Sequence, residues 1–310
     1  MVVLITGGAG NIGSSLADSL SKDENNFVVI VDNLSTGSIE KVPKRENVIF
    51  IKADANDFSD ISVIFGRFQF DYVFHYAAVV GVQRTLDNPL KVLNDCKGIE
   101  NVLKLCKNSG VKRVFYSSSS EVYGEPFEIP QNEKTTPLNS KLPYAIVKNI
   151  GEAYCRSYYQ EFGLEFTIFR FFNTYGPNQS EDFVVPRFLK KALNNEPIEI
   201  YGDGSQTRSF CFVNDNIQTC INSISSHEAL NEVINVGSDL EMTILELADM
   251  IIHVSGSKSK IVHLPPLPAG DMTRRCPDNS KMKRILNRNL IPLEEGLKIM
   301  IKEYENRKQS

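Results

Sequence analysis

The chain opens with a β-like apolar run, VVLIT at 2–6, that passes directly into Thr6-Gly7-Gly8-Ala9-Gly10-Asn11-Ile12-Gly13 and then into a helix-like segment at 11–21. Glycines spaced this way between a strand and a helix serve three needs: a tight turn, the approach of a phosphate to the backbone, and close helix–strand packing. Gly8, Gly10 and Gly13 satisfy one spacing of such a loop, and Gly7, Gly10 and Gly13 another. The helix start then offers unpaired N–H groups and the positive end of its dipole to a pyrophosphate. A glycine triplet alone is weak evidence. Asp32, at the end of the next apolar run (FVVIV, 27–31), strengthens it, because a carboxylate there can accept hydrogen bonds from adenosine ribose hydroxyls. The same charge would repel a 2′-phosphate, and no Arg follows in Asp32-Asn33-Leu34-Ser35-Thr36-Gly37. The cofactor expected is therefore NAD and not NADP. Asp54, in IKADAND, is a candidate for the adenine side, with a plain loop Asp as the competing reading.

Further runs of the same kind lie at 48–52, 71–74, 112–116 and 164–170, separated mostly by helix-like segments at 58–66, 89–109 and 142–162. Strands alternating with helices predict βαβ units and a doubly wound parallel sheet, a Rossmann-type α/β fold. Strands apolar throughout agree, since a parallel sheet is covered on both faces. Beyond about 172 the alternation loosens. NTYGPNQS (173–180) is turn chemistry, 183–194 and 243–256 read as helices, HLPPLPAGD (263–271) as a loop, and 292–305 as a closing helix. The expected organisation is an NAD-binding domain over 1–172 and a smaller α/β substrate-binding region over 173–310, with part of 205–238 returning to the first domain.

Composition narrows the partners. The net charge is −4 with Lys and Arg scattered, which disfavours nucleic acid. No apolar run is long enough for a membrane span. The six cysteines form no Cys-x-x-Cys pair and fit no zinc spacing, so reduced thiols, no metal, and a cytoplasmic location are expected.

Tyr144 and Lys148, in PYAIVK, stand at i and i+4 and so share one helix face. A phenol is a poor base at neutral pH, but a nearby ammonium and a positive nicotinamide ring both favour its phenolate. Such a Tyr can take a proton from a sugar hydroxyl while hydride leaves the same carbon.

Taken together, TGGAGNIGS, VDNLSTG, DYVFHYAA, SSSSEVYG, PYAIVK, FRFFNTYGP, YGDGSQTRSFCFV, INVG and RRCPD resemble the extended short-chain dehydrogenase/reductases of the nucleotide-sugar epimerase/dehydratase/decarboxylase group, UDP-glucose 4-epimerase-like with UDP-glucuronate decarboxylase-like features. The resemblance runs almost end to end. It implies a catalytic set of Ser119, Tyr144 and Lys148, Ser119 being four residues before the Tyr of VYG. It implies a cofactor set of Gly7, Gly10, Asn11, Ile12, Gly13, Asp32, Asn33, Ser35, Thr36, Gly37, Asp54, Ala55, Ala77, Ala78 and Asn94, with Tyr144 and Lys148 at the nicotinamide end. For a nucleotide-diphosphate sugar it implies Ser119, Ser120, Glu121 and Asn173, with Arg208 and Arg274 or Arg275 as diphosphate clamps, a task suited to the Arg fork. Gln83 and Arg84, in the 79–88 loop, either reach the substrate or belong to a surface loop. The group also implies a homodimer formed through the helices at 89–109 and 142–162.

The members of this group share oxidation at C4 and diverge afterwards. The dehydratase pattern is Thr-Asp-Glu where this chain has Ser119-Ser120-Glu121, so Ser120 stands in place of the expected acid. The decarboxylase pattern, Thr-Ser-Glu, fits better, yet those enzymes carry an Arg where this chain has Phe183. A 4-epimerase needs no extra acid, which makes C4 epimerisation the favoured reading; it leaves Glu121 unexplained. Decarboxylation, 4,6-dehydration and a non-catalytic NAD-binding regulator of the same fold are the alternatives.

Overall fold

The computed structural model describes residues 1–265 and 274–309. The runs read as strands form a seven-stranded parallel sheet: β1 (Val2–Thr6), β2 (Phe27–Asp32), β3 (Val48–Lys52), β4 (Tyr72–His75), β5 (Arg113–Ser119), β6 (Glu165–Phe171) and β11 (Glu232–Val236), in the order β11-β6-β5-β4-β1-β2-β3. Side chains alternate between the faces, as the pleat requires. Val3, Ile5, Val28 and Ile30 enter one core with α1 (Asn11–Leu20) and α8 (Val213–Ser223). Leu4, Val29 and Val31 enter the other, against α2 (Phe58–Arg67), α5 (Asp95–Ser109) and α6 (Pro143–Phe162). Phe74, Phe115 and Phe169 stack across β4, β5 and β6, with centroids 4.3 and 6.1 Å apart. The strand order reverses between β1 and β4, and a crevice opens there beyond the carboxyl ends of the strands. Thr6, Asp32, His75 and Ser119 end their strands at that edge.

The second half supplies β11 to this sheet, paired in parallel with β6 from Glu232↔Thr167 to Val236↔Phe171. Its other strands pair two by two: β7 (Thr174–Tyr175) with β10 (Cys211–Phe212), β8 (Ile198–Tyr201) with β13 (Ile261–Leu264), and β9 (Thr207–Ser209) with β12 (Glu241–Thr243). Around them pack α7 (Val184–Leu193), α9 (Ile244–Ser255), α10 (Ser280–Leu286) and α11 (Leu293–Gln309).

Three expectations change. The helix expected over 89–109 is two, α4 (Pro89–Leu93) and α5, joined at Asn94 where Lys97 N–H donates to the Asn94 carbonyl in a tighter turn (3.0 Å). The 79–88 loop contains α3 (Val82–Asp87), which begins at Gly81 with φ +104° and ends before Pro89, where a proline ring disfavours a helical predecessor. The run 263–271 begins inside β13; its residues 266–271 lie outside the described residues, as does the side chain of Gln83. Among the described residues no helix is long and apolar enough to cross a membrane, and no cluster of His, Cys, Asp and Glu has a metal-binding arrangement.

Candidate active site

The glycine loop leaves β1 with Gly7 at φ +69°, its N–H donating to the Val31 carbonyl (2.8 Å). A Cβ on Gly7 would sit 2.6 Å from the backbone N of Ala77, and one on Gly13 2.4 Å from the Gly7 carbonyl oxygen. Neither position can carry a side chain, which fits a cradle that a pyrophosphate approaches closely. Gly10 is the N-cap of α1 without a side-chain cap, so the first N–H groups of the helix, from Asn11 and Ile12 onward, are left for a ligand. The buried Asn11 Oδ1 has no protein partner, a second sign of a group that belongs there. Asp32 accepts from Ala9 N–H (3.0 Å) and Leu34 N–H (2.8 Å), which fixes its carboxylate at the end of β2 with Gly37 packed against it. Asn33, Ser35 and Thr36 are exposed beside it, and Asn33 Nδ2 donates to Asp54 (3.0 Å), with buried Ala55 next in the chain. Ala77 and Ala78 follow β4, Ala77 N–H donating to the Thr6 hydroxyl (3.3 Å). These residues thus line one edge from the adenosine end to the β1–β4 crevice, an arrangement suited to NAD.

Ser119 and Tyr144 come close at that crevice, the Ser119 hydroxyl accepting from Glu121 N–H (3.2 Å). Ser119 ends β5, and Tyr144 lies in the first turn of α6, which Pro143 starts. Burial raises the Tyr144 pKa well above its ordinary value and the Glu121 charge adds to this, while the Ser119 hydrogen bond and Arg275 act the other way. Lys148 is buried one turn on. Its Nζ donates to the Ser117 carbonyl (2.6 Å) and hydroxyl (3.2 Å) and stands 5.7 Å from the Tyr144 ring centroid. Burial pushes its pKa down to about 8, against the pull of Asp95. The i, i+4 reading therefore brings the two side chains together, with Ser117 as a partner that spacing could not reveal. His75 stays neutral beneath them, pushed down to about 3 by burial and by Lys148, its Nδ1 hydrogen-bonded to Thr6 (2.8 Å).

Of the expected substrate residues, Ser120 is buried and Glu121 points to Arg275, the carboxylate and guanidinium 2.7 Å apart and mostly enclosed. Arg275 and Glu121 both act on the Tyr144 phenol through their charges. Arg274 instead pairs with Glu241 on β12 and is half exposed; Arg208, buried on the facing β9, donates to the Thr207 carbonyl (2.7 Å). Asn173 Nδ2 donates to the Ser209 carbonyl (3.2 Å). Arg84 pairs with Asp182 (3.2 Å) and donates to the Val80 carbonyl (2.8 Å), tying the 79–88 segment to the turn before α7. Asn94 departs from expectation: its side chain is exposed, and the neighbouring Asp95 is the one turned inward, accepting from Val79 N–H (2.8 Å) and Asn56 Nδ2 (3.2 Å).

A buried polar network supports this wall from behind. Glu152, one turn after Lys148, accepts Nε and Nη2 of Arg170 (2.8 Å each), the Ser118 hydroxyl (2.6 Å) and Arg156 (3.0 Å). Burial alone would raise the Glu152 pKa, but Arg170 outweighs it and holds the carboxyl below its ordinary value. Arg170 also donates to the Tyr123 hydroxyl (2.8 Å), which donates to Asn235 on β11 (2.7 Å). The Tyr of VYG is thus a fixed brace, its hydroxyl held on both sides.

A doubly wound sheet, a glycine loop beside the strand-end carboxylate of Asp32, and a Ser–Tyr–Lys set at the crevice are the marks of a short-chain dehydrogenase/reductase-type enzyme. Residues 3–237 match the profile of the NAD dependent epimerase/dehydratase family, and the chain belongs to that family. Its cofactor is NAD. The chain is 34% identical to a putative UDP-glucose 4-epimerase of Methanocaldococcus jannaschii, covering 98% of this chain and 99% of that one. It is 36% identical to a UDP-N-acetyl-alpha-D-glucosaminuronate decarboxylase of Bacillus cytotoxicus, covering 98% of each. The structure of the UDP-glucose 4-epimerase of Thermotoga maritima, solved with UDP-glucose, superposes with a TM-score of 0.93 at 31% identity, covering 99% of this chain and 100% of that one. The chain is thus an enzyme of a family that includes nucleotide-sugar epimerases, decarboxylases and dehydratases.

Proposed function

We propose that this enzyme epimerises a nucleotide-diphosphate sugar at C4 through a transient 4-keto sugar. The observation that carries the reading is the gathering of Ser119, Tyr144 and Lys148, with Lys148 Nζ held on the Ser117 carbonyl 5.7 Å from the Tyr144 ring, beside a carboxylate, Glu121, whose charge is already balanced by Arg275. NAD, which the glycine loop and Asp32 would hold, would supply the acceptor and then the donor of the C4 hydride. Tyr144 takes the proton of the C4 hydroxyl and gives it back, Ser119 holds hydroxyl and phenol in line, and the Lys148 ammonium favours the phenolate. Inversion follows when the keto sugar turns within the site before it is reduced. Ser120 has no carboxyl to protonate a leaving hydroxyl, which speaks against dehydration. Phe183, at the start of α7, offers no cation to a sugar carboxylate, and Arg84 nearby is engaged with Asp182. Asn173 with Arg208, Arg274 and Arg275 are the residues we assign to the nucleotide diphosphate.

The Glu121–Arg275 pair also favours a second reading, decarboxylation of a uronate, since an acid and a cation stand together next to the phenol. The NAD-loaded protein incubated with UDP-, dTDP-, GDP- and CDP-sugars, with products followed by NMR, separates the two. Exchange of the C4 configuration is expected. Carbon dioxide from a uronate would replace the epimerase reading by the second, a 4-keto-6-deoxy product would indicate dehydration, and no turnover of any sugar would favour a regulator.

We place the enzyme in the cytoplasm as a homodimer. Leu86, Leu90 and Leu93 on α3 and α4 and Ile146 on α6 leave apolar area exposed on the face where the pairing helices are expected. Sedimentation at twice the chain mass is the expected result, and a concentration-independent monomer would remove this part of the proposal.

A further inference from the structure

The first turn of α1 is held from behind by the far end of the chain. Helix α11 lies outside residues 3–237, the span that the family profile covers. Leu297 and Met300 bury one of its faces in the core, and its Leu293 carbonyl accepts the Tyr175 hydroxyl (3.4 Å). Its last turns reach the loop after β7. There one guanidinium grips two consecutive residues: Arg307 Nη1 donates to the Pro177 carbonyl (3.1 Å) and Nη2 to Asn178 Oδ1 (2.8 Å). Asn178 passes the contact on, its Nδ2 donating to the Ser14 hydroxyl (3.3 Å). Ser14 is buried; its hydroxyl donates to the Asn11 carbonyl (3.3 Å) and its N–H to the Gly10 carbonyl (3.0 Å). An unbroken run of hydrogen bonds thus joins α11 to the first turn of α1, whose opening N–H groups are left for a ligand.

We propose that Arg307 and Asn178 are positioning residues for the cofactor: the end of α11 braces the phosphate-binding turn of α1 through Ser14 and so sets how slowly NAD leaves. The inference concerns cofactor retention and is independent of what happens at the sugar. The order of the atoms in the brace carries it. A guanidinium has donors and no acceptor, so it can face only the oxygen of the Asn178 amide. That keeps the amide NH2 turned towards Ser14. Without Arg307 the amide is free to turn over, and Ser14 then donates to its oxygen instead of to the Asn11 carbonyl. The Pro177 contact fixes the same loop at a second point. Gln179 closes that loop on itself, its N–H donating to the Gly176 carbonyl (3.1 Å) and its Nε2 to the Thr174 carbonyl (2.6 Å). A helix start holds an anion best when its N–H groups are fixed beforehand, since ordering them on binding costs affinity. The pairing of Arg307 with Glu303 on α11 itself is long (3.8 Å) and exposed, and such pairs contribute little.

The test uses NAD-loaded wild type, Arg307→Ala, Asn178→Ala, Ser14→Ala, the double variant Ser14→Ala with Arg307→Ala, and Glu303→Ala. Release is read as exchange of bound NAD for excess isotopically labelled NAD, by mass spectrometry. Each of the first three substitutions is expected to speed release about three- to tenfold, the effect of one hydrogen bond lost. The double variant is expected to release no faster than the faster of its two single variants, because the residues act in series. Glu303→Ala is expected to keep the wild-type rate. Hydrogen exchange gives a second readout: residues 7–16 are expected to exchange faster in Arg307→Ala while β4, β5 and β6 stay unchanged, which a general loss of stability would not produce. Wild-type release from Arg307→Ala, effects that multiply in the double variant, an equal acceleration in Glu303→Ala, or faster exchange throughout the sheet would overturn the proposal. Failure of all three single variants to fold with NAD would make the contacts purely structural and overturn it as well. No sugar enters the experiment, so its failure stays separate from failure of the proposed reaction.

Discussion

Tyr144→Phe is expected to lower kcat by about 10³–10⁴-fold, the upper part of the range for general acid–base catalysis. The substitution removes the atom to which we assign the proton exchange with the C4 hydroxyl. It keeps the ring, and with it the packing at the start of α6. The glycine loop and Asp32 are remote from the change, so NAD content after purification is expected to equal that of wild type. Steady-state rates with a nucleotide sugar, set beside cofactor content by chromatography, check both halves. A variant that keeps near-wild-type rate would show that another group takes the proton and that the Ser119–Tyr144 contact has a different purpose.

Glu152→Ala is expected to cost about 3–5 kcal/mol of folding stability, the usual consequence of removing one partner of a buried ion pair. Arg170 is 2% exposed and would keep its charge with the carboxylate gone. Ser118 and Arg156 would lose a partner too. Against the roughly 5–15 kcal/mol that typically separates folded from unfolded domains, about a fifth or more would be lost. Urea denaturation at neutral pH measures it. A loss below about 1 kcal/mol would mean that the network is incidental to the wall it backs.

Strands β1, β2, β4, β5 and β6 were legible because each is a short run buried on both faces, where nearly every position asks for the same chemistry, and the edge strand β3, only half-buried, because its run is equally apolar. The strand β13 was not, because Val262 and His263 are exposed and the run gains meaning only beside β8. That Tyr144 and Lys148 lie together was legible through helical spacing. The one-residue difference between Asn94 and Asp95 was not, since adjacent polar residues give no phase at a helix junction and the deciding partner, Val79 N–H, belongs to another segment. Glu121 had no visible partner for the same reason: Arg275 reaches it from the far end of the chain. Long-range pairs of charges leave no periodicity to read.

The sheet closes late. Strand β6 has β5 on one side, and its other side is covered by residues 232–236. A nascent chain that has emerged only to about residue 200 therefore presents the whole of β6, from Glu165 to Phe171, as an open ladder of backbone donors and acceptors. The same holds for any fragment cut at the change of character near residue 173, which would look like a complete nucleotide-binding unit and yet carry an adhesive edge. Synthesis of this enzyme thus includes an interval in which its cofactor half is nearly assembled but not yet safe from its neighbours, and that interval ends only when β11 arrives.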